Sequence, residues 1–206
     1  MSVRVKICGV TSVADATLAV RLGADLIGLN FYPLSPRYLS IEAARQIRAT
    51  IPPQVQCVGV FVNAEHTRIA MLIEQLRLDL VQFHGDEPED ALLGWPCKTI
   101  KAIRVSPEGE LPDVARIPAD YILLDTYKAG RYGGTGEMFS WERVIPAIPE
   151  REHRLILAGG LTPENVALAV QTVCPWAVDV ASGVESVPGR KDQEKVRAFI
   201  TNAKTA

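Results

Sequence analysis

Two side chains in this sequence join a reactive group to a position where reactivity would matter. Cys8 closes the first apolar run, in Lys6-Ile7-Cys8-Gly9-Val10-Thr11-Ser12, and Asp125 closes another, in Tyr121-Ile122-Leu123-Leu124-Asp125. A thiol just ahead of a helix capped by Thr11 or Ser12 lies near the positive end of the helix dipole, which favours the thiolate, a base or a nucleophile. A carboxyl in a closed, partly desolvated site favours the protonated form that a general acid needs. One thiol and one carboxyl suit proton shuttling of the aldose-to-ketose kind. Both residues also have ordinary readings, since most cysteines are packing residues and an aspartate after a strand often caps a turn. Hydrolysis by a cysteine nucleophile would need a base beside the thiol, and His84 could reach it only from across a barrel.

Further polar residues close other apolar runs: Asn30, Gln82 with His84, Arg104, and Asp179. Ala158-Gly159-Gly160 and Ser182-Gly183 follow two of the last runs. Such glycines either turn the chain or let backbone amides approach a ligand, and with a serine hydroxyl they suit a phosphate. Arg37 lies in Asn30-Phe31-Tyr32-Pro33-Leu34-Ser35-Pro36-Arg37, a loop stiffened by prolines, from which a guanidinium could meet a carboxylate bidentately. His84 reads equally as a pocket residue or as a satisfied hydrogen-bonder. The glycine-rich stretch Lys128 to Gly136 suits a closing segment after Asp125.

These residues need a frame that gathers strand ends. Eight short β-branched runs are predicted as strands: Val3 to Cys8, Leu26 to Asn30, Gln56 to Phe61, Leu80 to Phe83, Thr99 to Arg104, Tyr121 to Asp125, Leu155 to Ala158 and Ala177 to Val180. Amphipathic stretches lie between them. Helix starts are predicted at Ser12, Ser40, Asn63, Thr162-Pro163-Glu164 and Asp192. The segment between the fifth and sixth strands carries three prolines and suits only a turn or two. Strict β/α alternation through eight units predicts a parallel α/β fold, a (β/α)8 TIM barrel occupying residues 1–206 as one domain, with its site at the C-terminal strand ends. A doubly wound open sheet is the competitor. Its glycine fingerprint is missing after the first strand, and Gly133-Gly134-Thr135-Gly136 places Phe139 where a third glycine belongs.

At 206 residues with 48% apolar and 22% charged residues, the chain has ordinary globular composition. A net charge of -2 without a dense Lys/Arg block argues against nucleic acid or an anionic membrane as partner. Cys8, Cys57, Cys97 and Cys174 lie far apart, without metal-ligand spacing, so no metal is expected. With no leader and no long apolar stretch, the expected compartment is the cytoplasm, with reduced thiols.

Matching segments run in order through the chain: Lys6-Ile7-Cys8-Gly9, Ser35-Pro36-Arg37, Val58-Gly59-Val60-Phe61, Gln82-Phe83-His84-Gly85, Leu123-Leu124-Asp125, Gly133-Gly134-Thr135-Gly136, Leu157-Ala158-Gly159-Gly160-Leu161 with Pro163-Glu164-Asn165-Val166, and Val178 to Glu185. Over these the sequence resembles the phosphoribosylanthranilate isomerases, barrels of tryptophan biosynthesis. It departs from their pattern at Phe83, where leucine is common, at Ser140, where aspartate is frequent, and at Ala181, where serine is frequent. The resemblance implies an Amadori rearrangement of N-(5'-phosphoribosyl)anthranilate, a small phosphorylated sugar carrying an anthranilate, with no cofactor. It implies Asp125 as acid, Cys8 as base and Arg37 on the anthranilate carboxylate. Gly159, Gly160, Ser182 and Gly183 would take the phosphate, and Asp179 and His84 would line the pocket. A related histidine-pathway isomerase, whose barrels generally use two aspartates, and a non-catalytic phosphate-binding barrel are the alternatives.

Overall fold

The computed structural model describes residues 2–105, 111–126, 141, 145, 148 and 154–206. Eight strands close a parallel barrel in sequence order: β1 (Arg4–Cys8), β2 (Leu26–Asn30), β3 (Gln56–Phe61), β4 (Leu80–Phe83), β5 (Lys98–Val105), β6 (Tyr121–Thr126), β7 (Leu155–Leu157) and β8 (Ala177–Val180). Closure is made where β1 pairs with β8, Arg4 opposite Ala177 and Ile7 opposite Val180. The predicted (β/α)8 fold is therefore the observed one. Ala158 falls just beyond β7, at the start of the Gly159-Gly160 turn.

Around the barrel lie α1 (Val13–Leu22), α2 (Ile41–Arg48), α3 (His66–Leu76), α4 (Val166–Val173) and α5 (Gln193–Lys204). Ser12, Ser40 and Asp192 cap α1, α2 and α5 through their side-chain oxygens, as predicted. Two predicted starts shift. Asn63 adopts a positive φ of 48° and its Oδ1 accepts from the Asp86 amide, so α3 begins after Glu65 instead. Thr162 and Pro163 form a turn, and α4 starts after Asn165, whose Oδ1 accepts from the Thr162 amide. Single short 3-10 turns, Glu89–Leu92 and Val114–Arg116, lie in the β4–β5 and β5–β6 connections. The glycine-rich stretch after Asp125, with Ser140, lies outside the described residues.

Strand side chains alternate between two cores. Val5, Ile7, Ile27, Leu29, Val81, Phe83, Ile122, Leu124, Val178 and Val180 pack outward under the helices. Leu26, Val58, Leu80, Ile100, Tyr121, Leu123, Ile156 and Ala177 fill the barrel itself. Lys6, Cys8, Gln82, Asp125 and Asp179 share the parity of this second set, so the strands turn them inward.

The opposite, N-terminal end carries a short repeat that the sequence reading passed over. Asp25, Asp79 and Asp120 each stand immediately before β2, β4 and β6. Each carboxylate accepts the first free amide of the preceding strand, Val5, Cys57 and Thr99, at 2.8 Å. Three strand starts are thus tied to their neighbours by charge-assisted hydrogen bonds.

Candidate active site

At the C-terminal mouth, two adjoining cavities share Asp125, Asp179 and Ala181 in their walls. The first is lined by Gly159, Gly160, Ser182 and Gly183, the second by Cys8, Arg37, Tyr32 and His84. The residues nominated as acid, base and ligand contacts each line one or both of these adjoining cavities, whereas Gln82 and Arg104, also noted at strand ends, line neither.

Cys8 ends β1 opposite Gly28 on β2. A Cβ at Gly28 would lie 2.8 Å from Cys8 Sγ and 3.2 Å from Lys6 Nζ, so the missing side chain makes room for both groups. Burial pushes the Cys8 thiol up from its ordinary value, and Asp179 adds to the rise, while the charges of Lys6 and Lys191 pull it down. The helix-end effect expected from sequence does not prevail, because removing a thiolate from water costs more than a dipole end beyond three residues of turn returns.

Lys6 is wholly buried and donates to Asp179 Oδ1 at 2.9 Å. Burial works against its charge, yet Asp179 and Cys8 more than offset that and hold the ammonium above its usual value. Asp179 is thus an ion-paired carboxylate and lines both cavities.

Asp125 sits across the mouth. Its Oδ1 accepts the Thr126 amide at 2.8 Å and its Oδ2 lies 3.2 Å from His84 Nε2. His84 Nδ1 in turn lies 2.8 Å from Gln82 Nε2. His84 is accordingly both a pocket residue and a satisfied hydrogen-bonder.

Arg37 packs its side chain over Gly9, whose φ of 68° and missing Cβ leave the space. Its Nε and Nη2 bind Glu185 Oε1 and Oε2 at 2.8 and 2.6 Å, so the bidentate edge expected to meet a ligand is already occupied. A ligand carboxylate would be met by the remaining Nη1 end. Behind Glu185, Lys191 donates to Glu185 Oε1 at 2.9 Å and to the carbonyls of Cys8 and Ala181 at 2.6 and 3.1 Å. These residues sit on a hairpin, β9 (Glu185–Val187) and β10 (Arg190–Lys191), that the sequence reading did not predict. Burial opposes ionisation of Glu185, but Arg37 and Lys191 outweigh it and hold the carboxyl below its usual range. Burial also pulls Lys191 below its usual value, against the favourable charge of Glu185. Of these three side chains, only Arg37 lines the cavity.

Gly159 and Gly160 turn the chain after β7 with φ of 77° and 68°. Gly183 lies against the Leu161 carbonyl so closely that a Cβ would collide with it. The two glycine loops are packed on each other and form one wall.

The residues from 5 to 202 match the family model described as N-(5'phosphoribosyl)anthranilate (PRA) isomerase. The chain belongs to the N-(5'-phosphoribosyl)anthranilate isomerase family. Curated members of this isomerase family from Trichlorobacter lovleyi and Geobacter sulfurreducens are 49% and 48% identical, covering 99% and 98% of this chain and the same shares of their own lengths. The phosphoribosyl anthranilate isomerase of Thermotoga maritima superposes with a TM-score of 0.90 at 44% identity, over 99% of this chain and all of its own (100%). A second isomerase structure, solved with reduced 1-(o-carboxyphenylamino)-1-deoxyribulose 5-phosphate, gives 0.86 at 42% identity, with coverage of 99% and 100%. As a member of the family the chain is an isomerase of tryptophan biosynthesis. No helix among the described residues is long and apolar enough to cross a membrane.

Lys6, Glu185 and Lys191 escaped the sequence reading as site residues. Lys6 carried a signal, since it shares the inward parity of Cys8 on an otherwise apolar strand. Glu185 ended the matched segment Val178 to Glu185 without a role attached, and Lys191 carried no signal, because both positions depend on the hairpin β9–β10.

Proposed function

We propose that this chain catalyses the Amadori rearrangement of N-(5'-phosphoribosyl)anthranilate to 1-(2-carboxyphenylamino)-1-deoxyribulose 5-phosphate, with residues 1–206 acting as one barrel domain. Asp125 gives its proton to the furanose ring oxygen as the C1'–O bond breaks, which leaves a protonated Schiff base. Cys8, as thiolate, removes the C2' proton, and the electron pair moves to make the enolamine. Tautomerisation then yields the ketone. Protons are rearranged and the formula is unchanged, so the reaction needs no external electron carrier and no cofactor.

The observation that carries this reading is the shared cavity wall: Cys8 and Asp125 face one space whose two ends offer opposite anchors. The Arg37 guanidinium suits the anthranilate carboxylate, and the Gly159-Gly160 and Ser182-Gly183 wall suits the phosphate. Asp179 and His84 support the two reacting groups from either side. The four cysteines are free, in keeping with a reducing, cytoplasmic setting.

A crystal structure of this chain with the reduced product tests the orientation. The expected result is carboxylate on Arg37 and phosphate on the glycine wall. The reverse orientation, or phosphate on Arg37, would contradict the assignment of the two ends.

A further inference from the structure

Gln82 is fully buried on β4, its side chain turned into the barrel one strand-repeat below His84. Its Nε2 lies 2.8 Å from His84 Nδ1, and its Oε1 is buried with no hydrogen-bond partner among the described residues. An amide nitrogen can only donate, so Nδ1 must accept and the ring carries its proton on Nε2. That proton points at Asp125 Oδ2, 3.2 Å away. An imidazolium in the same place would set a ring N–H against the amide N–H. It could be accommodated only by turning the amide to offer Oε1.

We propose that Gln82 is a positioning residue that holds His84 as the neutral Nε2–H tautomer, so that the ring aims Asp125 without placing a full positive charge beside it. The inference rests on the reading of Asp125 as the general acid. An imidazolium at this distance would pair with the carboxylate, the form that has no proton to give. A neutral ring fixes one oxygen by a hydrogen bond and leaves the carboxyl free to hold and deliver a proton. Among the described residues Lys6 is paired with Asp179, Arg37 and Lys191 share Glu185, and Arg104 is paired with Asp86. A glutamate at position 82 would have the same shape and the opposite effect, since it accepts and would call a second proton onto the ring.

The chain has three histidines, which makes the test direct. Full-length protein labelled with 15N-histidine is examined by NMR at neutral pH, His84 being assigned from the spectrum of His84→Asn. The parent should show a bare Nδ1 and a protonated Nε2. Gln82→Glu should show both nitrogens protonated, with kcat at least tenfold lower and KM changed less than twofold. Gln82→Met, which keeps the volume and fold but neither donates nor accepts, should show an average of the two neutral tautomers and an intermediate kcat. A parent ring protonated on Nδ1 or on both nitrogens, or a Gln82→Glu ring unchanged from the parent, would overturn the proposal. A parent-like kcat in Gln82→Glu while Asp125→Asn is inactive would overturn it alone. Full turnover by Asp125→Asn would instead overturn the reading on which it rests.

Discussion

Lys6 Nζ and Asp179 Oδ1 lie 2.9 Å apart at the head of the barrel, the lysine wholly buried and the aspartate nearly so. The pair sits directly beside Cys8, and the gap at Gly28 accommodates both the ammonium and the thiol. A buried ion pair contributes little net stability, but deleting one partner is costly because the other is left as an isolated charge.

Lys6→Met should therefore destabilise the protein by about 3–5 kcal/mol in urea denaturation. It should also move the pH profile. Burial already pushes the Cys8 thiol up, and Lys6 is the first of the charges pulling it down. In the proposed mechanism the thiolate is the base, so kcat/KM should rise with pH through this group's titration. Removing the lysine should displace the rising limb to higher pH, and an unmoved limb would detach Lys6 from the base.

Glu185→Gln should raise KM more than it lowers kcat, because Arg37 loses the carboxylate that fixes its Nε and Nη2. The stability change should depend on pH. The Glu185 carboxyl is held below its usual value in the fold, so its contribution is present above the unfolded value of ~4.3 and disappears as pH falls through the folded one. Urea titrations at neutral pH and in acid should show a large gap between parent and variant that narrows in acid.

Gly183→Ala should weaken the phosphate end. The new Cβ meets the backbone carbonyl of Leu161, which no side-chain rotation relieves. Affinity for inorganic phosphate, measured by calorimetry, should fall at least tenfold. Equal affinity would place the phosphate elsewhere.

Asp120→Ala acts at the other end of the barrel. It removes the acceptor of the Thr99 amide, which should cost about 1–3 kcal/mol of stability. The kcat of the folded fraction should match the parent, since conservation of shape at the mouth does not depend on this end.

The strand pattern was legible because parallel barrel strands are buried on both faces and read as near-continuous apolar runs, so a polar residue at their ends stands out. Cys8, Asp125 and Asp179 were found that way. The caps at Ser12, Ser40 and Asp192 were legible from local chemistry alone. Asn63 misled because asparagine also serves a left-handed turn, and there its side chain is taken by Asp86. Arg37 was located but its bidentate edge was assigned to a ligand, since its internal partner Glu185 is 148 positions away in the chain. The direction of the Cys8 shift was missed for the same kind of reason. Local sequence shows the helix end but not how completely the barrel excludes water from the thiol.

The central claim is that Cys8 and Asp125 carry the two proton transfers. It is tested most directly by turnover of freshly prepared N-(5'-phosphoribosyl)anthranilate, followed by loss of its fluorescence, with the parent, Cys8→Ala and Asp125→Ala. Loss of either group should lower kcat by about 10²–10⁴-fold in proteins that remain folded. Equal turnover by all three would contradict the mechanism.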